Sequence, residues 1–540
     1  MTVANGAEAL VSSLAREGVE VVFGIPGVQV MGLVDAFYHQ DKIRWITVRH
    51  EQTAGFMAFG YARSKGKEGV AIVVPGPGAL NASAAIGTAY AASTPVLLIS
   101  GQIETHNLGQ NHGVLHEVND QLDAFRPITK WCHRVSQVDD IPDAVHEAMW
   151  QLRNGRPRPV ELEIPWNLWQ STSESKAPSI GKNIASQPSP QQIRDVVQLI
   201  TSAQRPVIWA GGGIITGDAS QALTQLAEQL QAPVISTAEG KGAISAEHPL
   251  AMGDPNYGTN PVLAGADLIL IVGSRFGLYG RGQWAPESHQ KVIQIDIDPE
   301  EVGRNQTVHL GIVADAHTAL EMLLEELPST TKSTWSADEL QQIRSQIINK
   351  LREIAPLQLD IIETIRQELD DDDILIPGVT NIGYWSHLAY PVLKPRTYLT
   401  TSYFVTLGYA FPTALGAKIA NPDRKVVAVC GDGGFLYGLP ELATAVQESI
   451  NVVSLIFADE ALGACLRIQQ RRFEDRILGT KLQNPDFALL AETFGARGIK
   501  LSHLGGLRDG LRDALQENKP TVVEIPVDCL VPPWEVSLTP

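Results

Sequence analysis

Short runs of β-branched and aliphatic residues recur along the chain, each closing in glycine or proline before a stretch of helical periodicity. "VEVVFGIPG", "IRWITVRHE", "GVAIVVPGPG", "TPVLLISGQ" and "PRPVELEIPW" carry this rhythm in the first third. "RPVIWAGGG", "APVIST", "ADLILIVGSRF" and "KVIQIDIDPE" carry it in the middle; "DDILIPGVTN", "KVVAVCGDGG", "NVVSLIFADE" and "PTVVEIPV" carry it at the end. Continuously apolar strands alternating with helices build parallel sheets covered on both faces. The pattern predicts three consecutive doubly wound α/β domains, over residues 1–170, 190–328 and 355–540. Between them, "QSTSESKAPSIGKNIASQPSPQQ" is polar, Ser/Pro-rich and without periodicity, as a linker is. "PSTTKSTWSADELQQIRSQIINK" reads as a second connection, helical in part.

Composition and charge act mainly by exclusion. A chain of 540 residues can bury several full cores. Sixty acidic residues against 42 basic ones give a formal charge of −18 with no basic run, which argues against nucleic acid or an anionic membrane surface as partner. No apolar run approaches the roughly 18 residues of a membrane span. The N-terminal "MTVANGAEALVSSLAREG" carries Glu8 and Arg16 within its apolar periodicity and reads as an amphipathic helix, not a signal peptide. The four cysteines are scattered without metal spacing and read as reduced thiols. Together these features predict a soluble, cytoplasmic protein. The acidic run Asp370 to Asp373 reads as a solvated turn before a strand.

The chemistry concentrates in "VVAVCGDGGF", where Asp432 stands among Gly431, Gly433 and Gly434 at a strand end. Glycines there let backbone N–H groups approach a diphosphate, and a helix expected from near Leu439 would add its positive end. A carboxylate in such a turn repels phosphate unless a divalent cation lies between them, and Mg²⁺, which takes oxygen ligands, suits that place. Asp459 follows 27 residues later, just past the next strand, where parallel neighbours bring strand ends together. Taken alone, the turn reads more readily as a helix start capped by Asp432; the second carboxylate reverses that preference in favour of the metal.

These residues, with "PELATAV" between them, resemble the cofactor motif of thiamine diphosphate-dependent enzymes, the group of acetohydroxyacid synthase, benzaldehyde lyase and the 2-oxo acid decarboxylases. The resemblance implies Mg²⁺ on Asp432, Asp459 and the carbonyl of Ala461, with cofactor contacts from Gly431, Gly433, Gly434, Phe435, Gly383 and Leu462. The chain departs at the motif's closing Asn-Asn pair, which here is Ala458-Asp459. "RHEQTAGFMAFGYAR" resembles the segment whose glutamate, here Glu51, binds the pyrimidine N1′ and favours the tautomer that acts as base. "SYFVTLGYAFPTALGAKIA" resembles the segment with an aliphatic wedge between the two cofactor rings, which places Leu407 there. "PGPGALN" and "FGIPGVQV" resemble loops lining the substrate side and bring in Gly78, Asn81 and Gln29. "GVLHEVNDQLDAFRPITKW" matches at its "PITKW" end, and that register puts His116 at an active-site position; a loop-capping histidine is the plainer reading.

The resemblance spans the whole chain. It implies pyrimidine-binding, middle and diphosphate-binding domains in that order, and a homodimer or homotetramer with sites across the interface. The implied reaction cleaves or forms a bond beside a carbonyl, with a 2-oxo acid, a 2-hydroxy ketone or an aldehyde as substrate. In the middle domain, "WAGGGIITG" lacks a G-x-G-x-x-G fingerprint and no G-K-[ST] occurs. "GSRFGLYGRGQWAP" and "IQIDIDPEEVGRNQ" look closer to the flavin-free lyase than to the flavin-binding synthases, so FAD is not expected. His112 and His116 lack a third ligand for zinc. Two rivals stand beside this reading. One is a catalytically degenerate paralogue acting as an assembly or regulatory subunit, which Ala458 keeps open; the other is an FAD or NAD oxidoreductase resting on the central glycines.

Overall fold

A computed structural model describes residues 4–173, 186–254, 261–277, 285–328 and 333–536. Most of the first polar linker, the start of the second and the centre of "GSRFGLYGRGQWAP" lie outside the described residues. Three parallel sheets follow one another along the chain, as the alternation of apolar runs requires.

The first sheet contains β1 (Val21–Gly24), β2 (Arg44–Thr47), β3 (Gly69–Val73), β4 (Val96–Gln102), β5 (Trp131–Arg134) and β6 (Val160–Pro165), in the order β2-β1-β3-β4-β6-β5. The second contains β7 (Pro206–Ala210), β8 (Val234–Ser236), β9 (Leu268–Val272), β10 (Lys291–Asp296) and β11 (Leu310–Val313), in the order β8-β7-β9-β10-β11. The third contains β12 (Ile374–Pro377), β13 (Val426–Gly431), β14 (Val453–Ala458), β15 (Arg497–Lys500) and β16 (Thr521–Pro526), in the order β12-β13-β14-β16-β15. Every pairing within the three sheets is parallel. Ala4–Asn5 and Thr172–Ser173 form a separate antiparallel pair that joins the two ends of the first unit. β5, β11 and β15 are additions to the strands expected from sequence. An isolated parallel bridge pairs Leu375 with Tyr398.

In the first sheet the chain reverses its direction of winding between β1 and β3. Such a switch leaves a crevice beyond the carboxyl ends of the two strands. The second sheet has the same reversal between β7 and β9.

The first and third units meet through two helices. Residues Thr53 to Ser64 of α1 (Glu51–Lys65) are buried without interruption, so this helix has no solvent face. It lies between α2 (Pro77–Ala91) and α4 (Ala410–Ala420), with α3 (Asn381–Ala389) preceding the latter in the chain. The α1–α4 crossing is backbone against backbone. A Cβ at Gly60 would fall on the Thr413 carbonyl, and one at Gly416 on the Met57 carbonyl, in both cases far inside contact distance. Glycine is used there for close approach, and flanking Phe56, Phe59 and Phe411 fill the surrounding core. Each of these rings contributes about 1.5–3 kcal/mol by burial.

Candidate active site

At the switch of the first sheet, Glu51 opens α1 behind an N-cap, His50, whose side chain accepts the Gln52 N–H. The Glu51 Oε2 accepts from Asn81 Nδ2 at 3.0 Å. Gly78, one turn earlier on α2, leaves room for the glutamate: a Cβ there would stand 3.4 Å from Glu51 Oε1 and 2.6 Å from Val74 Cγ2. Glu51, Gly78 and Asn81 therefore form one group.

Gln29 and His116 form a second group beside it. Gln29 is buried, and its Nε2 donates to the Leu115 carbonyl at 3.2 Å while its own carbonyl receives the Trp169 indole N–H at 2.8 Å. His116 has φ of +66°, and its carbonyl backs onto Gly76, where a Cβ would come within 2.6 Å of it. Gly76 (φ +60°) is in turn fixed by buried Gln121, whose Oε1 accepts the Gly76 N–H at 2.7 Å. Gln29 Oε1 and His116 Nδ1 are both buried without a hydrogen-bond partner. Unmatched buried polar atoms are unfavourable in a resting protein and are what a polar ligand would satisfy.

In the third sheet, β13 delivers Gly431 to its carboxyl end, and the helix begins at Asp432 itself rather than near Leu439. α5 (Asp432–Gly438) starts directly on the strand, and α6 (Glu441–Gln447) follows after a short break. The glycines allow this abrupt change of direction: beside Gly434 the nearest atom to an added Cβ is Leu407 Cδ2 at 4.0 Å, whereas at Gly433 Leu482 and Leu462 would stand 3.0 and 3.1 Å away. Leu407 and Leu462 thus flank the glycine turn. The ring of Phe435 packs against Phe411 and Phe487 in the core, which leaves only its backbone for a ligand. Gly383 sits in the first turn of α3, where an added Cβ would fall on the Gly378 carbonyl. Thr380, just ahead of that helix, faces Gly431.

Asp432 is 1% exposed. Its Oδ1 accepts the Gly433 N–H at 2.7 Å; its Oδ2 accepts the Glu460 N–H at 2.8 Å and Asn484 Nδ2 at 2.7 Å. Burial raises its pKa, and these donors oppose the rise. Asp459 is pushed up to about 6, first by burial and then by the nearby charge of Asp432. Cys529 lies against Asp459, and its thiol is raised to about 11 by burial and by that carboxylate. Among the described residues neither aspartate forms an ion pair with lysine or arginine. Beside them, Leu482 N–H donates to Glu460 and Leu462 N–H to the Thr480 carbonyl, a pairing that takes neither lone pair of the Ala461 carbonyl.

The Glu51 group and the Asp432 group share no described hydrogen bond within one chain. They are linked indirectly: Glu441 of α6 accepts the Arg49 N–H at 2.8 Å and the Thr53 hydroxyl at the start of α1. Asn484, Thr380 and Cys529 escape a reading of the sequence because each lies dozens of residues from the motif it touches. A cleft of about 1330 Å³ opens at the switch of the second sheet, between Gly212, Gly273 and Asp296 on one side and Tyr384, His387 and Tyr403 on the other. No described helix is long and apolar enough to cross a membrane.

Comparison with known proteins agrees across nearly the whole chain. Residues 4–124 match the N-terminal TPP binding domain of thiamine pyrophosphate enzymes, residues 193–323 their central domain, and residues 378–525 their C-terminal TPP binding domain. A probable acetolactate synthase large subunit of Methanococcus aeolicus is 33% identical over 99% of this chain and 94% of its own length. The acetolactate synthase isozyme 3 large subunit of Escherichia coli is 33% identical over 98% of this chain and 96% of its own length. A probable 2-ketoarginine decarboxylase of Pseudomonas aeruginosa is likewise 33% identical, over 97% and 94%.

Proposed function

The chain belongs to the thiamine pyrophosphate enzyme family, and from that premise we propose that Asp432, Asp459 and the Ala461 carbonyl hold Mg²⁺ while Glu51, His116 and Gln29 serve the reaction. The protein is a thiamine diphosphate-dependent enzyme of 2-oxo acid decarboxylation and carboligation. When bound, the cofactor supplies a nucleophilic carbon and an electron sink for breaking or making the bond beside a carbonyl. One observation carries the metal assignment: buried Asp432 and half-buried Asp459 lie close enough at a glycine turn for the charge of one to raise the pKa of the other, and among the described residues no lysine or arginine pairs with either. A divalent cation neutralises both and allows a diphosphate beside them.

The donor set fits. Asp432 and Asp459 offer carboxylate oxygens, Ala461 offers an unpaired carbonyl, and the open flank of Gly434 leaves its amide approachable. On the other side, Glu51 would hold the proton at the cofactor's N1′ nitrogen, and Asn81 keeps its carboxylate oriented. Leu407 is the aliphatic side chain beside Gly434. Gln29 orients the substrate by hydrogen bonding, and His116 exchanges a proton on the substrate side. Leu407 lies near the Asp432 group, but Glu51 shares no described contact with that group within the chain. We therefore place each site between two copies in a homodimer or a pair of dimers, Glu51 from one and Asp432 from the other.

FAD stays outside this reading. Gly211 and Gly213 serve the close approach of two backbones, since Cβ atoms there would fall on Gly273. A yellow colour surviving gel filtration would remove that part.

The experiment is calorimetric titration of thiamine diphosphate with Mg²⁺ and again in excess EDTA, followed by a panel of 2-oxo acids with CO₂ and aldehyde measured separately. Binding only with the cation, lost in Asp432→Ala, is the expected result; equal affinity in EDTA refutes the metal assignment.

A further inference from the structure

We propose that Asn484 sets the metal selectivity of this site by closing one oxygen of Asp432; the inference rests on the reading that Asp432 is a Mg²⁺ ligand. A carboxylate oxygen has about two lone-pair positions. Asp432 Oδ2 already accepts two N–H groups, from Glu460 at 2.8 Å and from Asn484 Nδ2 at 2.7 Å. Among the described residues Oδ1 accepts one, from Gly433 at 2.7 Å, while the Asp459 N–H acts on the carboxylate from outside hydrogen-bond geometry. The cation therefore finds a single free position, on Oδ1, and Asp432 is a one-oxygen ligand.

That matters because the two common hard cations differ in what they accept. Mg²⁺ demands near-octahedral geometry with short bonds and suits single carboxylate oxygens. Ca²⁺ is larger, takes more oxygens and readily accepts a carboxylate through both. With Oδ2 occupied, the second mode is closed on Asp432.

The placement of Asn484 shows a built arrangement. The segment before it runs along the metal loop, held by the Ala461–Lys481 bridge and by Leu482 N–H on the Glu460 carbonyl. The bond to Asp432 fixes which end of the amide faces the carboxylate, since the reverse orientation would set oxygen against oxygen. It does so although Asn484 Oδ1 is then buried with no partner. Asn484 is a positioning residue, acting on the cation through Asp432.

The test titrates the full-length protein, with thiamine diphosphate present, against Mg²⁺ and against Ca²⁺ in separate calorimetric experiments. For Asn484→Ala we expect Mg²⁺ affinity to fall by about 10-fold with Ca²⁺ affinity unchanged or raised, so that the Mg²⁺/Ca²⁺ ratio drops at least as far. Asn484→Ser, which keeps a short donor and guards against a folding defect in the alanine variant, should hold a ratio closer to that of the parent. A lowered melting temperature with an unchanged ratio in both variants gives Asn484 a merely structural role and overturns the proposal. Failure of the parent to bind either cation overturns the metal assignment as well, which separates the two outcomes.

Discussion

Asp459 shows how one carboxylate shapes both stability and cofactor binding. Its folded pKa of about 6 lies above the ordinary aspartate value of 3.8, so the folded, metal-free chain favours the protonated form. That contribution to stability is complete below pH 4 and is lost as pH rises through 6. Two units correspond to about 3 kcal/mol; for a carboxylate only partly buried, screening reduces this to about 1 kcal/mol. Asp459→Asn should therefore stabilise the metal-free protein by about 1 kcal/mol near pH 7.5 and by nothing near pH 4, measured by urea unfolding in EDTA. A gap that widens toward acid would contradict the assignment. Glu51→Gln should bind cofactor nearly as the parent does yet lose on the order of 10²-fold or more in activity. His116→Ala should leave cofactor affinity intact, lower kcat by roughly 10–10³-fold and abolish one limb of the pH–rate profile; an unaltered limb with a lower melting temperature would make His116 a loop cap. At this scale the sequence showed what acts in pairs close along the chain or in a known motif, such as Asp432 with Asp459. It did not show Asn484, because a contact across 52 residues leaves no local spacing to read. Nor did it show that the Phe435 ring turns into the core, since an aromatic after a glycine turn suits either direction.

The elements that the pattern missed are of one kind. β5, β11 and β15 are four-residue strands at the edges of their sheets, reading "WCHR", "LGIV" and "RGIK". An edge strand pairs on one side only and needs no continuous apolar run, whereas central strands such as β13, buried on both faces, announce themselves. The helix after the glycine turn begins seven residues before the expected start near Leu439, because the clear periodicity begins there while α5 is a single short segment rich in glycine. The α1–α4 crossing was equally hidden, for nothing in "GFMAFGYAR" says which glycine meets another backbone. It yields a sharp prediction. Gly60→Ala and Gly416→Ala should each destabilise by about 3 kcal/mol or more, at the upper end of overpacking costs, because backbone rather than a movable side chain must yield. Their double variant should fall short of the sum, as one displacement of the helices relieves both clashes; strict additivity in thermal melting would show two independent strains.

Across the whole molecule, three parallel sheets in sequence were legible because each repeats the same strand–helix rhythm. The proposed partition of the site between copies rests on resemblance and on the lack of a described contact between Glu51 and the Asp432 group within one chain. It can be tested by complementation: Glu51→Gln and Asp432→Ala proteins, each inactive, are co-expressed. If every site takes one residue from each copy, half of the pairs are mixed and each mixed pair keeps one intact site, so activity should recover to about a quarter of the parent. No recovery would place both groups in one chain. The buried helix α1 has a last consequence, for the order in which the protein is made. Its inner neighbour α2 leaves the ribosome at once, but the Thr413 and Gly416 backbone that covers its other flank is synthesised roughly 350 residues later. At 5–20 residues per second that is about 20–70 seconds during which an apolar, glycine-notched helix face stands open to water. The nascent first unit is thus a natural client for a holding chaperone, and its release is timed by translation of the last third of the message.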